Sequence, residues 1–323
     1  MTAMKKITDI WNRFWFSKCD PLPAALCRIL TGLLLLAMLL AVSPSWERYY
    51  AADGVMSLNA ADLNEHRIVD TWTFFSWTEG LLPIRVYWVI GMFATLAFLV
   101  GFFTRTSTVV LYVLLSSMIH RSPYVVNGED LVLRMVLLYG IFAPLGGAWS
   151  VDAWLRNRKV VGVSHFQPQV WAIRMLQINF ALIYIISLPY KIGQDADWLT
   201  GDAFHWTVAS DMWWIPGFLP EISYAFGGAI RKALTWGTLV VEGLFPILVC
   251  IPRTRLWAIA SVTMLHIGIA VLVPNVTFFS LSMLCGFCTF LPPAAIRAAT
   301  AYVGRLFGQL LPRSSSLRPA RAE

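Results

Sequence analysis

The sequence predicts an all-α, polytopic integral membrane bundle. Long apolar runs, sparse charge and basic residues confined to alternate connections carry that prediction. Of 323 residues, 58% are hydrophobic and only 13% are charged, a composition outside the soluble range. Runs near the roughly 20 residues that cross a hydrocarbon core number about eight. They cover residues 24–42, 84–103, 107–119, 131–148, 170–190, 233–251, 256–273 and 276–291. The third is the shortest and pairs best with a locally thinned bilayer.

Each run is then placed by its flanking charges, because cytoplasmic loops collect Lys and Arg. Lys5, Lys6, Arg13 and Lys18 precede the first run, and alternate connections hold Arg105, then Arg156, Arg158 and Lys159, then Arg253 and Arg255. The intervening loops are acidic, with Glu47, Asp53, Asp62, Glu65, Asp70 and Glu79 in one and Asp195, Asp197, Asp202, Asp211 and Glu221 in another. This alternation predicts that both termini are cytoplasmic. It also gives the net charge of +7 an anionic lipid leaflet as its partner, so no nucleic acid is implied. The chain divides into an amphipathic cytoplasmic segment at 1–23, a transmembrane domain at 24–292 and a cytoplasmic tail at 293–323, disordered where Ser and Arg accumulate after Pro312. The aromatic and basic residues Trp11, Arg13, Phe14, Trp15, Phe16 and Lys18 read as an interfacial helix. The first run is longer than a signal-peptide core and is read as an anchor.

Two long outer loops are rich in aromatics. The first holds Trp72, Phe74, Phe75 and Trp77; the second holds Trp198, Phe204, Trp206, Trp213, Trp214 and Phe218. Such residues form a belt at the outer headgroups, with a cap over a pocket as the alternative.

Ionisable residues inside apolar runs are costly and usually functional. His120 lies at the outer junction of the third and fourth runs, Arg134 one turn into the fourth, Lys191 at the outer end of the fifth, Glu242 near the middle of the sixth and His266 within the seventh. A single lysine at a helix end commonly snorkels, and a single buried histidine commonly only packs. Their predicted convergence in the outer half of the membrane points to a site. Desolvation disfavours the charged form of an amine, which suits Lys191 to act as a general base. Pro189 is placed to bend the helix end and aim that lysine inward. His120 and His266 can exchange protons or hold a developing anion. Glu242 is placed to pair with a cation, and Pro246 one turn later frees a carbonyl.

Tyr184, Ser187, Pro189, Tyr190 and Lys191, followed by Asp197, Trp198, Leu199, Thr200 and Gly201, resemble the lysine motif of the vitamin K-dependent gamma-carboxylase-like membrane proteins, the HTTM family. Also similar are Arg28 to Gly32, the junction from His120 to Asp130, Ser150 to Asp152, Glu242 with Pro246, and His266 followed by a Phe-rich last run. The resemblance covers roughly residues 15 to 292 and is most specific at the Lys–Trp–Gly arrangement. It implies a carboxylase-like lyase site in which Lys191 is the initiating base and His266 a supporting histidine, with His120 a looser match. Arg134, Glu242, Asp197 and Trp198 are the expected substrate-binding residues. The resemblance further implies a reduced quinone cofactor of the vitamin K type; no metal is expected, since no metal-binding motif is present. The chain ends near its last run, without the large lumenal domain of the carboxylases, so glutamate carboxylation itself is not expected. It also resembles the compact branch that matures a bacterial sporulation-delaying peptide toxin. That branch implies a secreted peptide precursor and a second maturation protein as partners, and the bacterial inner membrane as the location.

Two other function classes have a basis in the residues. Cys285 and Cys288 form a C-x-x-C, the spacing of thiol oxidoreductases, although the predicted topology puts them in the cytoplasmic half with no outer pair, which favours packing. A carrier could use Arg134, Lys191 and Glu242 to bind an anion. No H-E-x-x-H, P-loop, G-x-S-x-G or dinucleotide fingerprint is present. The loop charges predict the outcome of cysteine-accessibility labelling: cysteines introduced at Asp62 and Asp211 react from outside, and those at Arg158 and Arg253 only after permeabilisation. Reversal of either pair refutes the orientation.

Overall fold

The computed structural model describes residues 3–51, 54–55, 73–77, 80–122, 125–159, 168–209 and 227–310. Among them there is no strand, only an isolated bridge between Lys18 and Gln169. Each apolar run contains a helix, although the one in the run at 131–148 ends at Gly140. The helices are α1 (Ala3–Phe16), α2 (Leu22–Val42), α3 (Trp46–Tyr50), α4 (Leu81–Val100), α5 (Thr104–Arg121), α6 (Gly128–Gly140), α7 (Val151–Lys159), α8 (Trp171–Gln194), α9 (Ala196–Thr200), α10 (Ala203–Ala209), α11 (Gly227–Leu248), α12 (Arg255–Leu272), α13 (Thr277–Phe287) and α14 (Pro293–Leu310).

Four segments are long and apolar enough to cross a membrane: Leu22–Tyr50, Leu81–Val100, Trp171–Gln194 and Arg255–Leu272. A fifth arises if Thr277–Phe290 and Pro293–Leu306, bent by 111°, count as one span. The difference from about eight apolar runs has local causes. α6 has 13 residues, about 20 Å of helix against about 30 Å of hydrocarbon. α5 ends in His120 and Arg121, and α11 carries Arg231, Lys232 and Glu242. The chain also continues as helix from Pro293 to Leu310. Pro293 has the fixed φ that suits a first helical turn, and Ala294, Ala295, Ala298, Ala299 and Ala301 favour helix strongly. Residues after Pro312 lie outside the described residues.

The bundle is organised around the short α13. It packs against α2, α6, α8 and α12, and Ser280, Ser282, Met283, Cys285, Gly286 and Phe287 are all buried. A helix packed on most sides has no need of a polar face, although Leu281 remains exposed. Gly286 is where α8 comes closest, since an added Cβ would meet the Phe180 ring at 1.8 Å. Cys285 and Cys288 are free, buried thiols in this core, as is Cys27. α1 projects Met4, Ile7, Ile10, Trp11 and Phe14 outward, in keeping with an interfacial helix. Among the first-loop aromatics, Phe75 is buried against Trp46, Tyr50 and Tyr87 instead of standing in a belt; Trp72 lies outside the described residues.

One end of the bundle is fixed by Arg28 of α2, which is fully buried. It donates to the carbonyls of Leu145 at 2.8 Å, Ala148 at 3.3 Å and Trp149 at 2.5 Å. Beside it, Asp152 accepts from the backbone N–H groups of Phe103 at 2.9 Å and Thr104 at 2.8 Å and from the Thr104 hydroxyl at 2.6 Å. Asp152 thus caps the start of α5 from a distant part of the chain. Gly101, at φ +71°, ends α4 there; a Cβ would meet Ser150 at 2.3 Å and the Arg28 guanidinium at 2.7 Å. Among the described residues, the non-glycine positions with positive φ are Phe103 and Trp149, both in this joint. Such strain, about 1–3 kcal/mol each, persists only where surrounding bonds over-determine it. Arg28→Met therefore strands carbonyls and releases the strained turn. It should destabilise the protein by about 2–5 kcal/mol, measured as unfolding in detergent, and Arg28→Lys should restore only part because an ammonium lacks the planar fork.

Candidate functional site

Lys191 lies 20 residues along α8 from Trp171, about 30 Å from the N-terminal end of that helix. The helix runs through Pro189 without ending, so Lys191 still has a helical register in its last turn. Facing it is Glu242 of α11, whose Oε1 and Oε2 accept from the Lys191 ammonium at 2.7 Å and 2.6 Å. The lysine side chain is 22% exposed and the glutamate 7%. The expectation of a cation for Glu242 is met by Lys191. Lys191 is consequently one half of an ion pair and not an amine among apolar groups alone. Pro246 removes the N–H that would otherwise bond the Glu242 carbonyl in the helix ladder.

A third group is set by the turn after α8. The Asp195 carboxylate accepts from the Asp197 N–H at 2.9 Å and starts α9. Gly201, at φ +90°, ends it, and a Cβ there would meet the Lys232 side chain at 2.6 Å. Thr235 of α11 donates to the Gly201 carbonyl at 3.0 Å and accepts from Phe204 N–H at 3.1 Å. Trp236 Nε1 donates to the Leu199 carbonyl at 3.2 Å. These bonds clamp the turn to the helix that carries Glu242, and the Trp198 ring comes to lie 4.5 Å from the Lys191 ammonium, within cation–π range. The spacing from lysine to tryptophan to glycine is thus the length of one such turn.

The pair sits at the polar end of a cavity of about 430 Å³ between α11 and α12. Trp198 and Phe204 line it, so two second-loop aromatics wall a pocket; Trp213, Trp214 and Phe218 lie outside the described residues. Its body is apolar, formed largely by Val241, Leu265, Ile269, Leu272 and Val273. Gly237 and Gly268 also line it, and a Cβ at either would meet nothing within 4 Å.

His266 of α12 adjoins this site without lining the cavity. It is 3% exposed, and its Nε2 is 2.7 Å from the Tyr184 hydroxyl. Among the described residues its Nδ1 is buried without a hydrogen-bond partner, amid Phe279 and Phe287. Tyr184 is seven residues before Lys191, two turns up the same face of α8. Its bond to His266 was not anticipated from sequence; the helical spacing was the available signal. The other expected residues fall elsewhere. His120 ends α5 and Arg134 lies in α6, and neither lines the Lys191 cavity. Asp197 lines a neighbouring hollow with Asp195, Trp198 and Trp206. Among the described residues no cluster of His, Cys, Asp and Glu could hold a metal ion.

A buried ion pair tolerates loss of one member poorly, because the other charge is left in a low dielectric. Glu242→Ala and Lys191→Ala should each destabilise the protein by roughly 3–5 kcal/mol. The double variant should cost clearly less than their sum, as read from a double-mutant cycle of detergent unfolding. Simple additivity would mean that the pair is not energetically coupled.

Residues 16–294 match the HTTM domain. No curated protein and no solved structure matches the chain. The match takes in the Arg28 joint, the Lys191–Glu242–Trp198 cluster, His266 and the central α13. The chain is a membrane protein and belongs to the HTTM family.

Proposed function

We propose that the protein is a carboxylase-like membrane enzyme whose Lys191–Glu242 pair moves protons at the polar end of a cavity for a lipid-soluble substrate. The observation that carries this reading is the two-oxygen contact of Glu242 with Lys191 in a cavity lined mainly by apolar residues. An ammonium paired with a carboxylate acts as a base only after passing a proton across. Glu242 takes that proton, and the free Lys191 amine then takes one from the bound acid. The overall charge is unchanged, Glu242 ends neutral, and the new anion faces the Lys191 ammonium instead of a carboxylate. Trp198 holds the ammonium from its other side. Tyr184 fixes the orientation of His266 beside the pair, where a supporting proton donor or acceptor is useful.

A reduced quinone fits this donor set, with Lys191 and Trp198 at its polar end and Val241, Leu265 and Ile269 along its apolar part. When bound, such a group supplies an acidic hydroxyl and reducing electrons. In the same reading the chain has about eight spans, both termini in the cytoplasm of a bacterium, and the Lys191 end facing outward. The grouping of Arg105, Arg156 and Arg158 at the Arg28 end supports that orientation. A secreted peptide precursor is the substrate or downstream partner that suits an outward site. The buried packing of Cys285 and Cys288 beside Cys27 gives the thiol-redox alternative no support.

The test is oxygen uptake by the purified protein supplied with a reduced menaquinone analogue. Lys191→Arg should lose roughly 10²- to 10⁴-fold in rate, because a guanidinium cannot surrender its proton here. Glu242→Gln should lose a comparable amount, since it removes the proton acceptor but keeps the side chain's shape. His266→Ala should also be impaired, whereas Cys285→Ser with Cys288→Ser should be nearly silent. Full activity in Lys191→Arg would refute the base role.

A further inference from the structure

A second cavity, of about 150 Å³, lies among α2, α5 and the start of α6 and shares no lining residue with the first. Its walls are aliphatic, including Met38, Leu39 and Leu115. Its polar end is formed by Tyr50, Asn127, Glu129 and Asp130. Helix capping accounts for part of this end, since Asp130 accepts from Asn127 N–H at 2.9 Å and acidic residues suit a first turn. It also takes in Glu129, which accepts from the Asn127 side chain and from a backbone N–H, is 6% exposed and, among the described residues, forms no ion pair. It does not account for Tyr50. Tyr50 is also 6% exposed. Its ring stacks on Phe75, but its hydroxyl, at the cavity wall, makes no hydrogen bond among the described residues.

From this juxtaposition we infer that the cavity is a binding site for a primary alkylammonium ion, with Glu129, Asp130 and Tyr50 receiving the ammonium and the aliphatic walls receiving its chain. An ammonium has three N–H donors and no acceptor, and these side chains offer oxygen acceptors at one end only. A hard metal cation needs six or more oxygens around it, which aliphatic walls cannot provide. A carboxylate or phosphate ligand would meet like charge.

The probe is hexylammonium, titrated into the full-length protein in a non-ionic detergent at neutral pH and followed by calorimetry and by the unfolding temperature. Saturable binding is expected for hexylammonium, with none for hexanoate and a much weaker effect for hexanol. Glu129→Gln should weaken binding roughly tenfold or more, the usual scale for a hydrogen bond to a charged group. Tyr50→Phe keeps the ring packing and removes only the hydroxyl, so it decides the matter should Glu129→Gln fail to fold; it should weaken binding severalfold. Equal binding of hexanol and hexylammonium, or affinity unchanged in Tyr50→Phe, would overturn the assignment. Lys191→Arg, which keeps a positive charge opposite Glu242, should leave hexylammonium binding intact, which keeps this site distinguishable from the first.

Discussion

A charge inside an apolar bundle must be met by another polar group, and that constraint fixes how the helices of this protein sit. Lys191 and Glu242 satisfy it for α8 and α11. Sliding either helix by one turn, about 5.4 Å, would strand both charges in the bundle. Apolar packing tolerates such slips more readily, because one aliphatic contact replaces another. The ion pair therefore contributes register more than net stability. The cavity's polar end lies where that register puts it.

At the other end of α8 the same constraint is solved with different chemistry. Arg28 faces neutral carbonyls of Leu145, Ala148 and Trp149, while the nearby carboxylate of Asp152 is occupied in capping α5. A guanidinium suits this task because its donors form a rigid fork and its charge is permanent. The joint holds Phe103 and Trp149 in a strained conformation, which requires a partner that never lets go. Lys191 has the opposite properties: one compact ammonium, able to give up a proton, opposite a carboxylate able to take it. Arginine in the joint and lysine at the cavity divide structural from chemical duty along the lines of their acid–base behaviour.

Much of this architecture was legible in the sequence because helix position depends on local composition. Each apolar run contains a helix, though the run at 131–148 leaves the helix at Gly140, and Glu242 found the cation it lacked. Partnerships across long separations were not legible. The bond between Tyr184 and His266 joins residues 82 apart, and the Lys191–Glu242 pair joins residues 51 apart; periodicity reports which face a residue occupies, not which helix it meets. For the same reason His120 and Arg134, grouped with Lys191 by depth and, for His120, by a looser resemblance, do not line its cavity. Depth is one coordinate, and a site needs three. Nor does composition reveal that α13, among the shorter helices, is the one the others surround.

Glycine shows how the bundle is closed in one place and left open in another. At Gly286 the missing side chain admits the Phe180 ring, and the helices close on each other, the usual use of small residues between membrane helices. At Gly237 and Gly268 the missing side chains admit nothing, and α11 and α12 keep the space between them. Aliphatic side chains at those two positions would project into the cavity and take up part of its volume. An apolar void is unfavourable unless something fills it, and water is poorly held by walls such as Val241, Leu265 and Ile269. The open glycines, the apolar body and the ionic head together favour an amphiphilic occupant with a small polar end, the kind of molecule on which a lysine–glutamate pair can act.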